Sequence, residues 1–472
     1  MHIFFYILFL SLYHSAIRLV AQWNPKAKRW VEGRKGLFKR LENALSQNKA
    51  PIIWLHCSSL GEFEQGRPVL EKIRKSYPSH KILLSFFSPS GYEVKKDYPG
   101  ADYIFYLPAD SKKNAKRFIQ IVNPQLVLWV KYDYWYFYLA ELKQKSIPVL
   151  LISGAFRKDQ PFFKWYGRLH RYMLECFLHL FVQTEESAQL LHQAGLGNNI
   201  TVSGDTRFDR VLEIAADFEP MNEIEKFCGS DPVIVAGSTW AEDEEELDHY
   251  ANTHPYIKFI IAPHDVTKER LKEAEELFVN CIRYSRLMLN PTFAKSRESG
   301  IAFGKPSATE GVGSLPTGQA GSEEEGNNPT SGIQHPVTSV QQLASSIQHP
   351  NVLLIDNIGM LSRLYKYATI AYIGGGFGND GVHNVLEAAV YGKPIIFGPE
   401  YEKYVEAIDL VEKGAAYSID SAVEIEKLMN DLLADSDWLT ESSEAARNYV
   451  YNKKGATEKI MRYIQENRLL IS

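Results

Sequence analysis

A glycine-rich segment at Tyr372–Glu387 has the composition of a phosphate-binding loop. It reads YIGGGFGNDGVHNVLE and joins a short apolar run, Ala368–Ile373, to a helical pattern. Glycine has no Cβ, so backbone N–H groups can approach an anion, and a helix starting there directs its positive end to the same place. With the next apolar run, Lys393–Phe397, the pattern predicts a strand–loop–helix–strand unit that holds a nucleotide or sugar phosphate. The alternative is a turn whose glycines only allow tight helix–strand packing.

A second candidate for chemistry is a carboxylate at the start of a predicted helix. In His56–Leu70, HCSSLGEFEQGRPVL, a strand is expected to end at Ser58, and Gly61 permits a sharp turn. Glu62 then stands in the first helical turn, where it either interacts with the helix dipole or serves as a general base in a cleft. Its place at the carboxyl end of a strand, opposite a phosphate loop, favours the base.

Composition indicates a globular protein of about two domains, since 472 residues exceed what one core usually serves. Hydrophobic residues make up 45% and charged residues 23%. The net charge is −5; residues 1–40 hold eight basic residues and one acidic residue, a net +7, which leaves −12 for the remainder. This negative charge on the residues after 40 argues against nucleic-acid binding. The four cysteines have no paired spacing, so neither disulfides nor a zinc site are expected and a reducing compartment fits.

The N-terminus predicts a membrane anchor over residues 1–22. Ile3–Tyr13 is almost entirely apolar, and basic residues follow between 26 and 40. A secretory signal carries its positive charge before the apolar core and a small-residue cleavage site after it, and neither is present. Basic residues on the C-terminal side keep that side in the cytoplasm, where anionic lipids attract them. We expect an uncleaved anchor, either one short span or an interfacial helix; a buried first helix is the alternative.

The order of apolar runs and helical patterns predicts two doubly wound α/β domains that face a cleft. Seven strand-like runs lie between residues 51 and 204, and five more between 231 and 397. We assign residues 23–210 to the first Rossmann-like domain and 211–472 to the second, with the last helix a candidate to pack back on the first. Residues 304–350 are rich in Gly, Ser, Pro and Gln and are expected to be a disordered insertion.

Eight motifs in this order resemble those of the 3-deoxy-D-manno-octulosonate (Kdo) transferases. The match extends over about residues 20–465, apart from the insertion. The motifs are CSSLGE (57–62), SFFSPSG (85–91), KYDYW (131–135), SGDTRFD (203–209), GSTWAEDEE (237–245), IAPHDVTKER (261–270), DNIGML (356–361) and GVHNVLEAA (381–389).

This resemblance implies the GT-B glycosyltransferase fold, with the second domain binding CMP. It implies inverting transfer of Kdo from CMP-Kdo to a lipid A precursor (lipid IVA) in lipopolysaccharide biosynthesis, at the cytoplasmic side of the cell inner membrane. Glu62 would take the proton of the acceptor hydroxyl. The expected partners are CMP-Kdo, the lipid A precursor and inner-membrane lipids; no cofactor and no metal are expected, because CMP-Kdo is itself a substrate.

The same resemblance assigns contact residues on both sides of the cleft. The residues implied to bind CMP are Pro263, His264, Ile358, Gly359, Met360, Asn384, Val385, Leu386 and Glu387. The candidate Kdo or acceptor contacts are Ser58, Gly61, Ser88, Ser90, Asp133 and Arg207.

The chain departs from the family pattern at four charged or polar positions. The departures are Lys131 for a glutamate, Trp240 for a histidine, His264 for an arginine and Met360 for a glutamate. Lys268 or Arg270 is a candidate source of the missing positive charge. Lys131 is either a cation for the carboxylate of Kdo or a surface residue.

Two other functions stay open at this point. One is a different GT-B transferase that uses a UDP- or GDP-sugar, and the other is a non-catalytic, nucleotide-binding membrane protein. Two acidic patterns are expected to be structural: Asp435–Asp437, a D-x-D that suits helix capping, and Glu242–Glu246, interpreted as a solvated helix start.

Overall fold

Two parallel sheets of seven strands each are present in the computed structural model, which describes residues 2–131, 133–197, 199–289, 350–378 and 381–470. The first sheet contains β1 (Ile52–Cys57), β2 (Lys81–Phe86), β3 (Tyr103–Tyr106), β4 (Pro124–Val130), β5 (Val149–Gly154), β6 (His179–Val182) and β7 (Ile200–Val202). The second contains β8 (Val233–Thr239), β9 (Lys258–Pro263), β10 (Cys281–Arg283), β11 (Val352–Leu354), β12 (Ile370–Ile373), β13 (Ile395–Phe397) and β14 (Ala416–Ser418). The spatial orders are β3-β2-β1-β4-β5-β6-β7 and β10-β11-β9-β8-β12-β13-β14.

Helices cover the sheets on both faces, as parallel strands buried on two sides require. In the first half they are α1 (His2–Val20), α2 (Pro25–Gly33), α3 (Leu37–Leu45), α4 (Leu60–Ser76), α5 (Pro89–Lys95), α6 (Lys112–Val122), α7 (Tyr136–Gln144), α8 (Arg168–Leu174), α9 (Glu185–Gln193) and α10 (Thr206–Ala216). In the second half they are α11 (Asn222–Cys228), α12 (Ala241–Thr253), α13 (Lys268–Leu277), α14 (Tyr284–Leu289), α15 (Leu361–Leu364), α16 (Leu386–Ala389), α17 (Val405–Glu412), α18 (Ala422–Ala434), α19 (Ser436–Asn452) and α20 (Ala456–Glu466).

The predicted architecture of two Rossmann-like sheets is confirmed. Each of the twelve strand-like runs overlaps a strand, and every side chain of β1 and β5 is buried. The sequence missed β10 and β14, which are three residues long and lie at the edges of the second sheet. Of the insertion at 304–350, only Pro350 falls within the described residues.

Two helices carry the chain between the domains. The helix α10 follows the last strand of the first sheet, and α20 returns from the second domain. The Asp209 carboxylate of α10 accepts hydrogen bonds from the backbone N–H groups of Gly455 and Thr457, both at 2.6 Å, at the start of α20. Ile460 and Met461 then join the hydrophobic core beneath the first sheet. The last helix of the chain therefore packs on the first domain.

The N-terminal helix α1 lies on the first domain along one narrow face. Tyr6 donates a hydrogen bond to the Asp110 carboxylate at 2.7 Å and accepts one from the Tyr136 N–H at 3.2 Å, while Leu10 is buried. The opposite faces expose Phe4, Phe5, Ile7, Leu8, Phe9 and Leu12. The window Ile3–Val20 has a mean hydropathy of 1.7 and is only 6% buried, so it is long and apolar enough to enter a membrane. These features favour membrane association.

Candidate active site

The residues singled out in the sequence follow the carboxyl ends of strands in both sheets. Ser58, Gly61 and Glu62 follow β1; Ser88 and Ser90 follow β2; Asp133 follows β4; Arg207 follows β7; Pro263 ends β9 and His264 follows it; Ile358, Gly359 and Met360 follow β11; and Asn384, Val385, Leu386 and Glu387 follow β12. This edge is where ligands bind in open parallel sheets.

The Glu62 carboxylate is fixed at this edge by the backbone of its own loop. Ser59 caps α4 by accepting a hydrogen bond from the Glu62 N–H, and the Glu62 carboxylate accepts one from the Ser58 N–H. Glu62 is only 8% exposed. Gly61 is part of the first helical turn, so the sharp turn expected there is absent; a Cβ at Gly61 would meet no atom within 4 Å. The Glu62 carboxylate is thus held in one place by the backbone of this loop.

Asp133 brings a second carboxyl group to the same loop. Burial raises the pKa of Asp133, and a hydrogen bond with the Ser58 side chain acts in the opposite direction. The Ser88 N–H donates to the Ser58 carbonyl oxygen at 2.7 Å, and the hydroxyls of Ser88 and Ser90 are 3.0 Å apart. Ser58 therefore connects the loops after β1, β2 and β4, and it contacts both acidic side chains.

Lys131 lies at the floor of the cleft and is not a surface residue. Its backbone φ of +49° is left-handed, and its side chain is half-buried. With the Gln65 amide oriented to accept, its oxygen lies 2.7 Å from Lys131 Nζ and 3.3 Å from Arg207 Nε. Burial lowers the pKa of Lys131, while the negative charges of Asp205, Glu406 and Glu62 raise it. Lys131 is thus a cation among carboxylates.

Arg207 joins the two domains through an ion-pair network. Its guanidinium lies 2.9 Å from the Asp205 carboxylate and 2.7 Å from that of Glu406 in α17. Asp205 is buried and also accepts a hydrogen bond from Gln183 at 2.8 Å. The guanidinium, which the sequence assigned to substrate contact, is engaged here by protein carboxylates on both sides.

Glycines in Tyr372–Glu387 allow this loop to pack closely against neighbouring backbone segments. A Cβ on Gly374 would lie 2.4 Å from the Ser238 carbonyl oxygen, and one on Gly376 would lie 2.5 Å from the Gly398 nitrogen. The Gly375 N–H donates to the Asp243 carboxylate at 2.9 Å. The predicted helix after the loop is a single turn, α16, so it cannot supply the expected macrodipole. The tight-turn alternative accounts for these three glycines.

Three rings form a platform against this loop. Trp240 Nε1 donates to His383 Nε2 at 3.2 Å, and the His264 ring stacks on Trp240 with centroids 4.5 Å apart and on His383 with centroids 4.6 Å apart. Since Trp240 and His383 are in hydrogen-bond contact, both lie on the same face of His264. His264 is exposed.

The turn after β11 presents an apolar side chain to solvent. Ile358 is 87% exposed, and Gly359 has a φ of +103°, a conformation that favours glycine. Met360 is half-buried at the start of α15. This geometry suits contact with a ligand through the backbone and one apolar side chain.

Glu387 in α16 and Asn384, two residues before this helix, contact each other. Asn384 Nδ2 donates to Glu387 Oε1 at 3.0 Å, while Val385 and Leu386 are buried beneath them. Burial raises the pKa of Glu387 to about 7. The charges of Glu64 and Arg210, from the first domain, also act on the pKa of Glu387.

Two expectations about charged residues are corrected. Arg270 forms an ion pair with the buried Glu244, which also accepts a hydrogen bond from Thr239 at 2.7 Å, so its charge is already engaged. Lys268 is exposed at the start of α13. The acidic segment 242–246 is not simply solvated, because Asp243 and Glu244 are buried and hydrogen-bonded. 

The capping role of Asp435 is confirmed, since its carboxylate accepts hydrogen bonds from the first N–H groups of α19. The ring platform, the anchoring of Gly375 by Asp243 and the role of Glu406 were missed. The departures at Trp240 and His264 gave a signal for the ring platform, and nothing in the sequence gave one for the other two.

Known proteins share both the sequence and the fold. A family model described as 3-deoxy-D-manno-octulosonic-acid transferase (kdotransferase) matches residues 29–210. A 3-deoxy-D-manno-octulosonic acid transferase of Bordetella pertussis is 25% identical over 97% of this chain and 99% of its own length. One of Aquifex aeolicus is 23% identical over 82% of this chain and 88% of its own. The chain is thus similar to the Kdo transferases, by the family model over residues 29–210 and by these relatives over most of its length. These similarities indicate a glycosyltransferase.

Another relative is longer than this chain. A bifunctional glycosyltransferase/methyltransferase of Fusobacterium nucleatum is 25% identical over 92% of this chain, which spans 58% of that protein. Among solved structures, a UDP-N-acetylglucosamine 2-epimerase aligns with a TM-score of 0.54 at 14% identity, covering 90% of this chain and 98% of its own. The epimerase from Neisseria meningitidis aligns with a TM-score of 0.51 at 16% identity, over 88% and 100%. These likenesses show the GT-B fold.

The raised pKa of Glu387 predicts that the stability of the folded protein depends on pH. Its folded-state pKa of about 7 exceeds the ordinary value of 4.5, so the folded protein holds this proton more tightly and loses stability as pH rises from 4.5 to beyond 7. We expect the stability of the native protein relative to Glu387→Gln to fall by about 3 kcal/mol over this range. Urea denaturation at pH 4.5, 6 and 8 measures it. The exposed control Glu412→Gln should keep the native pH slope, and an unchanged slope in Glu387→Gln would contradict the assignment.

Proposed function

We propose that the protein transfers Kdo from CMP-Kdo to a lipid A precursor, with Glu62 as the general base. One observation carries this proposal: the Glu62 carboxylate is fixed by the Ser58 N–H at the carboxyl edge of the first sheet. The ring platform and Glu387 stand at the matching edge of the second sheet. A proton acceptor on one side of a cleft and nucleotide contacts on the other are the parts that a direct displacement needs.

In the proposed step, Glu62 takes the proton of an acceptor hydroxyl as the hydroxyl oxygen attacks the anomeric carbon of Kdo. The bond from that carbon to the phosphate oxygen breaks, its electron pair leaves with CMP, and configuration inverts. Lys131, a cation at the floor of the cleft, attracts the carboxylate of Kdo. The scheme uses no metal and no other cofactor.

The donor side is assigned to the second domain. The His264 and His383 rings lie beside the glycine loop, where their N–H groups bind the leaving phosphate and offset the charge that develops on it. The exposed turn Ile358–Met360 contacts the nucleotide, and Glu387 accepts hydrogen bonds from its ribose hydroxyls. His264 thereby fills the place of the arginine in the family pattern.

The variant Glu62→Gln tests the base. The amide keeps the size of the side chain but cannot take a proton, so transfer should fall by about 10²- to 10⁴-fold. The measurement is the initial rate of Kdo transfer from CMP-Kdo to tetra-acylated lipid A precursor. Glu64→Gln makes the same change two residues along α4, where the carboxylate pairs with Arg67 and Lys95, and should stay within a few-fold of native. Full activity in Glu62→Gln would reject the base, and an inactive native protein would reject the reaction.

Nucleotide binding tests the donor assignment. His264→Ala should weaken CMP binding about tenfold through loss of a hydrogen bond to a charged group, whereas His264→Arg should retain it. Isothermal titration with CMP, UDP and GDP measures both points. Tighter binding of UDP or GDP than of CMP would instead favour a different nucleotide-sugar donor. His249→Ala, at an exposed position on α12, is the control and should bind as native.

The helix α1 is assigned to the membrane interface at the cytoplasmic side of the inner membrane. Its face at Tyr6 and Leu10 is bound to the first domain, and its other faces expose apolar side chains. A helix that spans the bilayer would leave Asp110 without the Tyr6 hydroxyl. Basic residues after α1 meet anionic headgroups.

Vesicle flotation tests this orientation. The double variant Phe5→Glu/Phe9→Glu changes two exposed side chains and should lower binding to phospholipid vesicles by at least about tenfold, since burying each phenylalanine stabilises binding by about 1.5–3 kcal/mol. Ser11→Glu/Ser15→Glu adds the same charge at exposed polar positions and should have a smaller effect. Equal loss of vesicle binding in both double variants would show that the added negative charge lowers binding, whichever side chains are replaced.

A further inference from the structure

A cavity lined by basic residues lies between the C-terminal part of α1 and the rest of the first domain. Its volume is about 410 Å³, and it lies between α1, α2, the start of α3 and the residues after β3. Val31, Leu37, Phe38 and Pro108 give it apolar walls, and none of its lining residues is acidic. The basic side chains that line it are His14, Arg18, Arg34 and Lys35.

Arg34 brings a partly buried positive charge to this cavity without a counter-ion. Its guanidinium donates to the carbonyl oxygens of Phe87 at 2.7 Å, Leu107 at 2.9 Å and Trp30 at 3.1 Å. Within the described ranges, no carboxylate forms an ion pair with it. Burial lowers the pKa of Arg34 to about 9. Because a desolvated cation is unfavourable without an opposite charge, an anion in the cavity would stabilise it.

Trp30 gives a second and independent sign of a missing partner. The side chain is 8% exposed, lines the same cavity and lies under Arg34, whose guanidinium carbon is 3.9 Å from the indole centroid. Its buried Nε1–H has no hydrogen-bond acceptor among the residues that the structure describes. Buried donors in native proteins are nearly always satisfied, so an acceptor from a ligand is expected here.

We propose that this cavity binds the phosphate group of a phosphorylated membrane lipid, whose acyl chain leaves along the apolar walls toward the exposed face of α1. Phosphate oxygens accept hydrogen bonds from Arg34, Lys35 and Arg18, and local adjustment brings one to the indole N–H. One of the three carbonyls that Arg34 binds belongs to Phe87, next to Ser88 at the acceptor side of the site. The proposal rests on the membrane contact proposed for α1.

Titration calorimetry of the full chain in a non-ionic detergent tests the site. The probes are dihexanoylphosphatidic acid, dihexanoylphosphatidylcholine and inorganic phosphate. Saturable binding of the phosphatidic acid is expected. The choline lipid should bind at least about tenfold more weakly because it adds a cation, and inorganic phosphate should bind at least about tenfold more weakly because it lacks the apolar contact. Equal binding of inorganic phosphate would indicate a free-phosphate site, and equal binding of the choline lipid or no saturation would reject anion recognition; each result overturns the proposal.

Matched variants separate a built site from diffuse attraction. Arg18→Gln/Lys35→Gln and, separately, Trp30→Phe should weaken phosphatidic acid binding about five- to tenfold. The control Lys28→Gln/Lys39→Gln removes the same charge from exposed positions outside the cavity and should bind as native. Equal loss in the control pair, or native binding by the first pair, overturns the proposal. Glu62→Gln should retain lipid binding, so failure of the transfer reaction and failure of this site are distinguishable.

Discussion

The ion-pair network around Arg207 holds the two domains in the arrangement on which the site depends. Asp205 belongs to the loop after the first sheet, Glu406 belongs to the second domain, and the guanidinium contacts both. Loss of one partner from such a partly buried cluster typically costs about 3–5 kcal/mol, because the remaining charge is left uncompensated. Lys131 and Gln65 extend the network to the floor of the cleft. These ion pairs therefore help to fix the spacing between the loops that carry Glu62 and the candidate site residues of the second domain.

The network also accommodates one departure from the pattern that the chain resembles, the lysine at 131 in place of a glutamate. Lys131 shares the Gln65 amide oxygen with Arg207, and the negative charge of Asp205 raises the pKa of Lys131 against the effect of burial. A substitution that looks disruptive in isolation is thus compatible with the same fold.

The strands and the position of Glu62 were predictable from sequence because both depend on local patterns. A buried parallel strand appears in the sequence as an uninterrupted apolar run. The helical pattern that begins after β1 places Glu62 in its first turn. The burial of Asp243 and Glu244 was not predictable, since their partners Gly375 and Arg270 are 132 and 26 residues away. The strand β10 was missed because three residues carry too little pattern. The glycines of Tyr372–Glu387 left phosphate binding and tight packing open from the sequence, and only the structure shows that Gly374 and Gly376 lie in close contact with Ser238 and Gly398.

The hydrogen bond between Tyr6 and Asp110 connects α1 to the loop that follows β4. The same carboxylate accepts the N–H groups of Phe137 and Tyr138 at the start of α7, a few residues after Asp133. With α1 in the membrane interface and Glu62 as the base, as proposed above, this connection would hold Glu62 at a constant height above the lipid surface. Only an acceptor hydroxyl that protrudes from that surface by the same height would then reach Glu62. Selection among sugar positions would depend on elevation as well as on shape.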